Sequence, residues 1–137
     1  MKRLMGIDIG EKRIGIAVSD MLGMTAQGIE TYARKGDGDA EYIAAKAKSL
    51  GADTVVAGLP LNMNGSEGPS AQKVREFMSE VEKLGLEVKF QDERLTTVSA
   101  ERTLLEADMS RKKRRQVIDK LAAVYILQTY LDIHTVK

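Results

Sequence analysis

No cysteine occurs among the 137 residues, which removes disulfides and thiolate metal sites from consideration. Histidine occurs once, as His134, too few for a histidine-based triad or a histidine metal cage. Four tyrosines and two phenylalanines leave few platforms for stacking nucleic-acid bases. No apolar run approaches the ~20 residues of a membrane span, and Met1-Lys2-Arg3 leads straight into a strand-like segment without a signal-peptide layout. These features predict a cytoplasmic protein with no membrane contact. Any hydrolysis must then use carboxylates, lysines or metal-bound water.

What is present describes one ordinary globular domain spanning residues 1–137: hydrophobic residues make up 43% of the chain and charged ones 30%. The net charge of +1 hides an uneven distribution. Arg111-Lys112-Lys113-Arg114-Arg115 supplies five positive charges in succession, leaving 16 basic against 20 acidic residues elsewhere. Such a run is often a solvated loop. Here it ends four residues before Asp119, inside the most apolar part of the chain.

Residues 4–9 read as a strand, a tight turn follows at Gly10-Glu11-Lys12-Arg13, and residues 14–19 alternate large with small as a return strand. A third strand is expected within 24–33. Gly36-Asp37-Gly38-Asp39 breaks the chain before an alanine-rich helix over 40–50, which Gly51 closes. Residues 54–60 are continuously apolar, as in a buried parallel strand. A polar loop at 61–68 precedes a helix over 69–84 that begins with Pro69. A strand over 86–93, a helix over 97–107, the basic run and a final helix over 116–130 complete the order. Right-handed crossovers place the first strand centrally, beside the fourth, with the fifth outermost. The prediction is an α/β fold with a mixed five-stranded sheet, order 3-2-1-4-5, and helices on both faces, an order that ribonuclease-H-like nucleases share.

Three carboxylates sit where burial makes them costly without a partner. Asp8 interrupts the apolar first strand and is flanked on its own face by Gly6 and Gly10, which open space beside it. Its alternative role is to cap the turn. Asp119 lies on a helix apolar around most of its circumference, which predicts burial; it also lies where an acid complements a helix dipole. The fifth strand ends in Asp92-Glu93, neighbours that face opposite sides. Glu93 is the preferred candidate, with Asp92 second. The first and fifth strands stand ~10 Å apart, so acids from both meet only if the strand between leaves room, which Gly58 allows.

Four segments in this order resemble the YqgF family along nearly the whole chain: Gly6-Ile7-Asp8-Ile9-Gly10 through Ser19-Asp20, Gly58-Leu59-Pro60-Leu61-Asn62-Met63-Asn64-Gly65-Ser66-Glu67, Asp92-Glu93-Arg94-Leu95-Thr96-Thr97, and Ile118-Asp119-Lys120-Leu121-Ala122-Ala123. Its members are described as Holliday-junction-resolvase-like and as pre-16S rRNA processing nucleases. The resemblance implies a ribonuclease-H-like fold, a cytoplasmic location and active-site acids at Asp8, Glu93 and Asp119. Two departures stand out. Asn64 replaces a common aspartate, and the fourth strand lacks the acid found in true junction resolvases.

The expected chemistry is phosphodiester hydrolysis with Mg²⁺ or Mn²⁺ held by Asp8, Glu93 and Asp119, since magnesium prefers oxygen ligands. Lys12, Arg13 and Arg94, with Arg111, Lys112, Lys113, Arg114 and Arg115 farther out, are the candidate contacts to nucleic-acid phosphates. The preferred substrate is RNA, specifically the 5′ end of pre-16S rRNA, acted on by a monomer or weak homodimer. The alternatives are a four-way DNA junction resolvase, which needs a symmetric dimer, and a non-catalytic RNA-binding assembly factor. A sugar-kinase or actin-type ATPase would need a second lobe that 137 residues do not supply.

Overall fold

The computed structural model describes residues 3–95 and 111–134. Strands β1 (Arg3–Ile9) and β2 (Arg13–Ser19) form an antiparallel hairpin, whose turn is closed by the Gly10 amide donating to the Arg13 carbonyl at 2.9 Å. Strand β3 (Ala26–Ala33) continues the meander. Helix α1 (Asp39–Ser49) then returns the chain to β4 (Ala52–Leu59), which runs parallel to β1. Helix α2 (Pro69–Lys83) leads to β5 (Glu87–Asp92), parallel to β4. A 3₁₀ turn (Glu93–Leu95) follows, and α3 (Arg111–His134) comes last. The sheet order is β3-β2-β1-β4-β5, as the crossover rule requires.

The two faces of the sheet bury different side chains. Met5 and Ile7 of β1 and Val55 and Ala57 of β4 face α1 and α2, where Ile43, Met78 and Val81 are fully buried. The alternate residues face α3: Ala17 and Val56 pack against Ala123, Ile126, Leu127 and Leu131. Each of the larger side chains, Val56, Ile126, Leu127 and Leu131, contributes about 1.5–3 kcal/mol when taken from water, so α3 is held mainly by this stripe. Among the described residues no helix is long and apolar enough to cross a membrane.

Two boundaries differ from the sequence reading. The last helix begins at Arg111, not near Gln116, so the basic run forms its first turns and is not a preceding loop. Arginine and lysine have helix propensities close to that of alanine, and nothing in the run breaks the helix. Glu93 lies one residue beyond β5, opening the 3₁₀ turn, and does not end the strand. The helix expected over 97–107 lies outside the described residues.

Candidate active site

The hairpin register positions the first acid. Asp8 pairs with Gly15, and directly opposed residues share a face. A Cβ on Gly15 would collide with the backbone carbonyl of Asp119; Asp8 therefore projects on the α3 side, next to the point where α3 crosses β2. Gly6, two residues earlier on the same face, lets Leu127 approach: its missing Cβ would lie 2.6 Å from Leu127 Cβ. Small residues along this face bring the helix close enough for Asp119 to stand at the Asp8 end of the strands.

The third acid, Glu93 just beyond the end of β5, is given room by β4. Gly58 follows the Ile7–Ala57 pair by one residue and is paired with Gln91 of β5. Gly15, Asp8 and Gly58 thus form one row across β2, β1 and β4. A Cβ on Gly58 would lie 2.9 Å from Glu93 Oε1 and 2.5 Å from Ile126 Cδ1. The Glu93 carboxyl occupies the clearance over Gly58 on the α3 face, with Asp8 between it and Asp119. All three acids are half-buried.

Asp92 points elsewhere. It shares parity with Val88 and Phe90, which pack on the α1/α2 core, and its carboxylate is taken by Arg94. The Arg94 backbone amide donates to Asp92 Oδ1 at 2.9 Å and Nη2 donates to Oδ2 at 2.8 Å. These bonds hold the Asp92 carboxyl below the usual carboxylate range despite partial burial, and raise the guanidinium in turn. Arg94 Nη1 also donates to the Met63 carbonyl at 3.1 Å, tying the 61–68 loop to the end of β5.

Of the expected phosphate contacts, Lys12 is exposed at the hairpin turn. Arg13 instead donates from Nε to Asp119 Oδ2 at 2.5 Å. Arg94 is fixed between Asp92 and the loop. The basic run stands on α3 upstream of Asp119, with Arg115 one helical turn before it, ~6 Å along the axis. Among the described residues no three His, Cys, Asp or Glu side chains are gathered closely enough to hold a metal ion. The donor chemistry of the row, carboxylate oxygens alone, fits a hard divalent cation; in the present arrangement Arg13 is the cation on Asp119.

Sequence reasoning missed the ion pair of Arg13 with Asp119 and the role of Gly15. Both follow from the hairpin register, which sets Gly15 opposite Asp8 and Arg13 on the same face two residues away. A cavity of about 310 Å³ lies on the opposite face, between the hairpin turn and α2, lined by Ile9, Arg34, Lys73 and Phe77 among others. None of the three acids borders it.

Residues 2–133 match the family model described as "RuvX: Holliday junction resolvase". Relatives from Clostridium botulinum (strain Hall) and Clostridioides difficile (strain 630), each bearing the name "Putative pre-16S rRNA nuclease", are 54% identical to the chain over 132 residues. These alignments cover 95% of the chain and 96% and 94% of the two relatives. In structure the chain is similar to T. thermophilus RuvC in complex with a Holliday junction substrate, with a TM-score of 0.55 at 16% identity, covering 100% of the chain and 99% of that protein. That likeness identifies the ribonuclease-H-like fold.

Proposed function

The chain belongs to the RuvX family of nucleases, and from that premise we propose that it is a metal-dependent enzyme hydrolysing a phosphodiester of pre-16S rRNA, near its 5′ end, in the cytoplasm. The observation that carries this reading is the row Gly15–Asp8–Gly58, over which one sheet face collects Asp119 and Glu93. Nothing in packing requires three half-buried acids along one row of one sheet face, and half-burying each of them costs free energy. The names of the 54% identical relatives direct the substrate choice to RNA.

In this reading Asp8, Glu93 and Asp119 would hold Mg²⁺ or Mn²⁺, which when bound would supply positive charge at the phosphate and a more acidic water. The chain's own residues do the rest. Carboxylate oxygens turned away from the ion would accept a hydrogen bond from that water and so orient it, and its proton would pass to bulk solvent. Lys12 at the exposed turn meets one phosphate, and the two N–H groups left on Arg94 meet another. Arg13 lies close enough to the row to transfer its hydrogen bond from Asp119 to a phosphate oxygen. The run at 111–115 holds the strand farther out, as a monomer or weak dimer, so binding weakens steeply with salt.

The test is cleavage of labelled pre-16S RNA and of a four-way DNA junction, with Mg²⁺, Mn²⁺ or EDTA, using the wild type and a folded Asp8→Asn protein. Metal-dependent cutting of the RNA, lost in Asp8→Asn, is expected. Cutting that persists in the mutant rejects the site. Preferential cutting of the junction by a dimer identifies a resolvase, the activity in the family description. Binding without cutting identifies an assembly factor.

A further inference from the structure

The cavity on the face opposite the three acids carries charges that packing does not explain. It encloses about 310 Å³ between the hairpin turn and α2, at the carboxyl end of β1. Ile9, which follows Asp8 directly, forms an apolar wall with Val74 and Phe77 of α2. In open α/β sheets ligands gather in the crevice outside the carboxyl ends of the strands. Small-molecule pockets begin at roughly 300 Å³. One cation is fixed in this cavity. Arg34 Nε donates to the buried Asp39 carboxylate at 3.0 Å, and Nη1 donates to the Gly10 carbonyl at 2.8 Å. The guanidinium lies over the Phe77 ring, 5.2 Å from its centroid. Phe77 covers only one face of that plane, and Nη2 has no partner among the described residues.

The remaining charges divide by position. Lys12, Arg34 and Lys73 border a groove that opens from the cavity, with Glu11 the one acid among its lining residues. Farther along α2, Glu76 and Glu80 stand one helical turn apart on the cavity wall. From Lys73 to Glu80 the helix advances ~10 Å, about the span from the phosphate of a nucleotide to the far edge of its base. Two acids one turn apart repel each other on a helix. Yet among the described residues none of Glu11, Lys12, Lys73, Glu76 and Glu80 joins an ion pair. Arg75, on another face of the same helix, is paired with Glu67. The cavity thus runs from a cationic mouth, past an apolar wall and a planar guanidinium, to an acidic end.

We propose that this cavity binds one guanine nucleotide. Its phosphate sits among Lys12, Arg34 and Lys73, and its base lies against Phe77 and the Arg34 plane. Unstacked bases are held in this way on aromatic rings and guanidinium planes, and are read along their Watson–Crick edges. The acidic end selects the base. Guanine alone presents a ring N–H beside an exocyclic amine on that edge, two adjacent donors that a carboxylate of Glu76 or Glu80 accepts together. Adenine and cytosine set a donor beside an acceptor, and uracil sets its one donor between two acceptors. The nucleotide comes either from the substrate strand, led over the hairpin turn from Asp8, or from solution as a free guanosine phosphate. Its origin in the strand rests on the nuclease reading above; the pocket itself does not.

The experiment titrates the full chain calorimetrically, in EDTA, with 5′-GMP, 5′-AMP, 5′-CMP, 5′-UMP and inorganic phosphate. Wild type is expected to bind 5′-GMP at one site, about tenfold tighter than the other nucleotides. The double variant Glu76→Ala/Glu80→Ala keeps the wild-type Tm and loses the guanine preference. Lys73→Gln weakens all four nucleotides by a common factor. No binding of 5′-GMP at millimolar concentration overturns the proposal, as does inorganic phosphate binding equally tightly. A guanine preference that survives the double variant overturns it too. The source is read by the anisotropy of a labelled pre-16S leader RNA. Saturating 5′-GMP that lowers RNA affinity assigns the pocket to the strand; an unchanged affinity assigns it to the free nucleotide. A protein that selects 5′-GMP but never cuts RNA with Mg²⁺ or Mn²⁺ sinks the nuclease reading and leaves the pocket standing. Cutting by a protein that binds no 5′-GMP sinks the pocket alone.

Discussion

Arg13 donates from Nε to Asp119 Oδ2 at 2.5 Å, joining residues 106 positions apart in the chain. The pair is only partly screened, its side chains being 31% and 17% exposed. A double-mutant cycle with Arg13→Gln and Asp119→Asn, read by urea denaturation without metal, is expected to give a coupling of about 1 kcal/mol. With saturating Mn²⁺ the coupling should fall toward zero, because a metal replaces the guanidinium as Asp119's counter-charge. A coupling that ignores Mn²⁺ would show that Asp119 serves the fold and not the cation.

Two glycines of the row differ in what a methyl group would strike. At Gly15 it meets the main-chain carbonyl of Asp119, which cannot step aside without moving α3. At Gly58 it meets the ends of Ile126 and Glu93, which can rotate. Gly15→Ala should therefore cost about 3 kcal/mol of stability, at the upper end of overpacking penalties. Gly58→Ala should cost about 1 kcal/mol yet lower cleavage strongly by displacing the Glu93 carboxyl. Equal stability losses, or an active Gly58→Ala enzyme, would separate the glycine row from function.

The sheet order was legible because the strands announce their burial. A continuous apolar β4 and a β2 that alternates large with small as the return strand of β1 leave one arrangement compatible with right-handed crossovers. Asp8, Glu93 and Asp119 were legible as misplaced charges. Their partners were not. That Arg13 faces Asp119 depends on which residue of β2 opposes Asp8, and the two-residue face of the turn fixes this only once Gly10 is seen to close on Arg13. Which of Asp92 and Glu93 stands over Gly58 on the α3 face also needed coordinates, because strand parity alone does not extend into the 3₁₀ turn that begins at Glu93. The start of α3 was misplaced for a simpler reason: a run of like charges reads as a loop, although its residues are good helix formers.

Asp39 is the buried charge most closely surrounded by donors. It is 2% exposed and accepts from the Tyr32 hydroxyl at 2.8 Å, Arg34 Nε at 3.0 Å and the amides of Lys35 and Gly36 at 3.0 and 3.2 Å. Burial pushes its carboxyl up, but these donors outweigh it and bring the pKa from 3.8 to about 2. A depressed carboxylate stabilises the fold above its unfolded pKa, and that stability disappears as pH falls through the folded value. Asp39→Asn should cost about 2–4 kcal/mol at pH 7. The gap between mutant and wild type should narrow between pH 4 and pH 2 in urea titrations, and a gap independent of pH would remove charge from the explanation.

Asp92 and Glu93 offer the sharpest contrast, because adjacent acids of similar chemistry stand on opposite faces. Glu93→Gln removes a carboxylate from the row above Gly58 and keeps its shape. It is expected to lower kcat by about 10²–10⁴, the range for losing a positioned acid–base group, with little change in KM. Asp92→Asn leaves the row intact but releases Arg94, and with it the tie to the Met63 carbonyl. Its effect should fall on KM, because a loosened loop binds the strand less well while the chemistry proceeds. If Asp92→Asn abolishes kcat and Glu93→Gln leaves it intact, the metal-binding acid is on the other side of the sheet, and Arg94 must then release it before any cation binds.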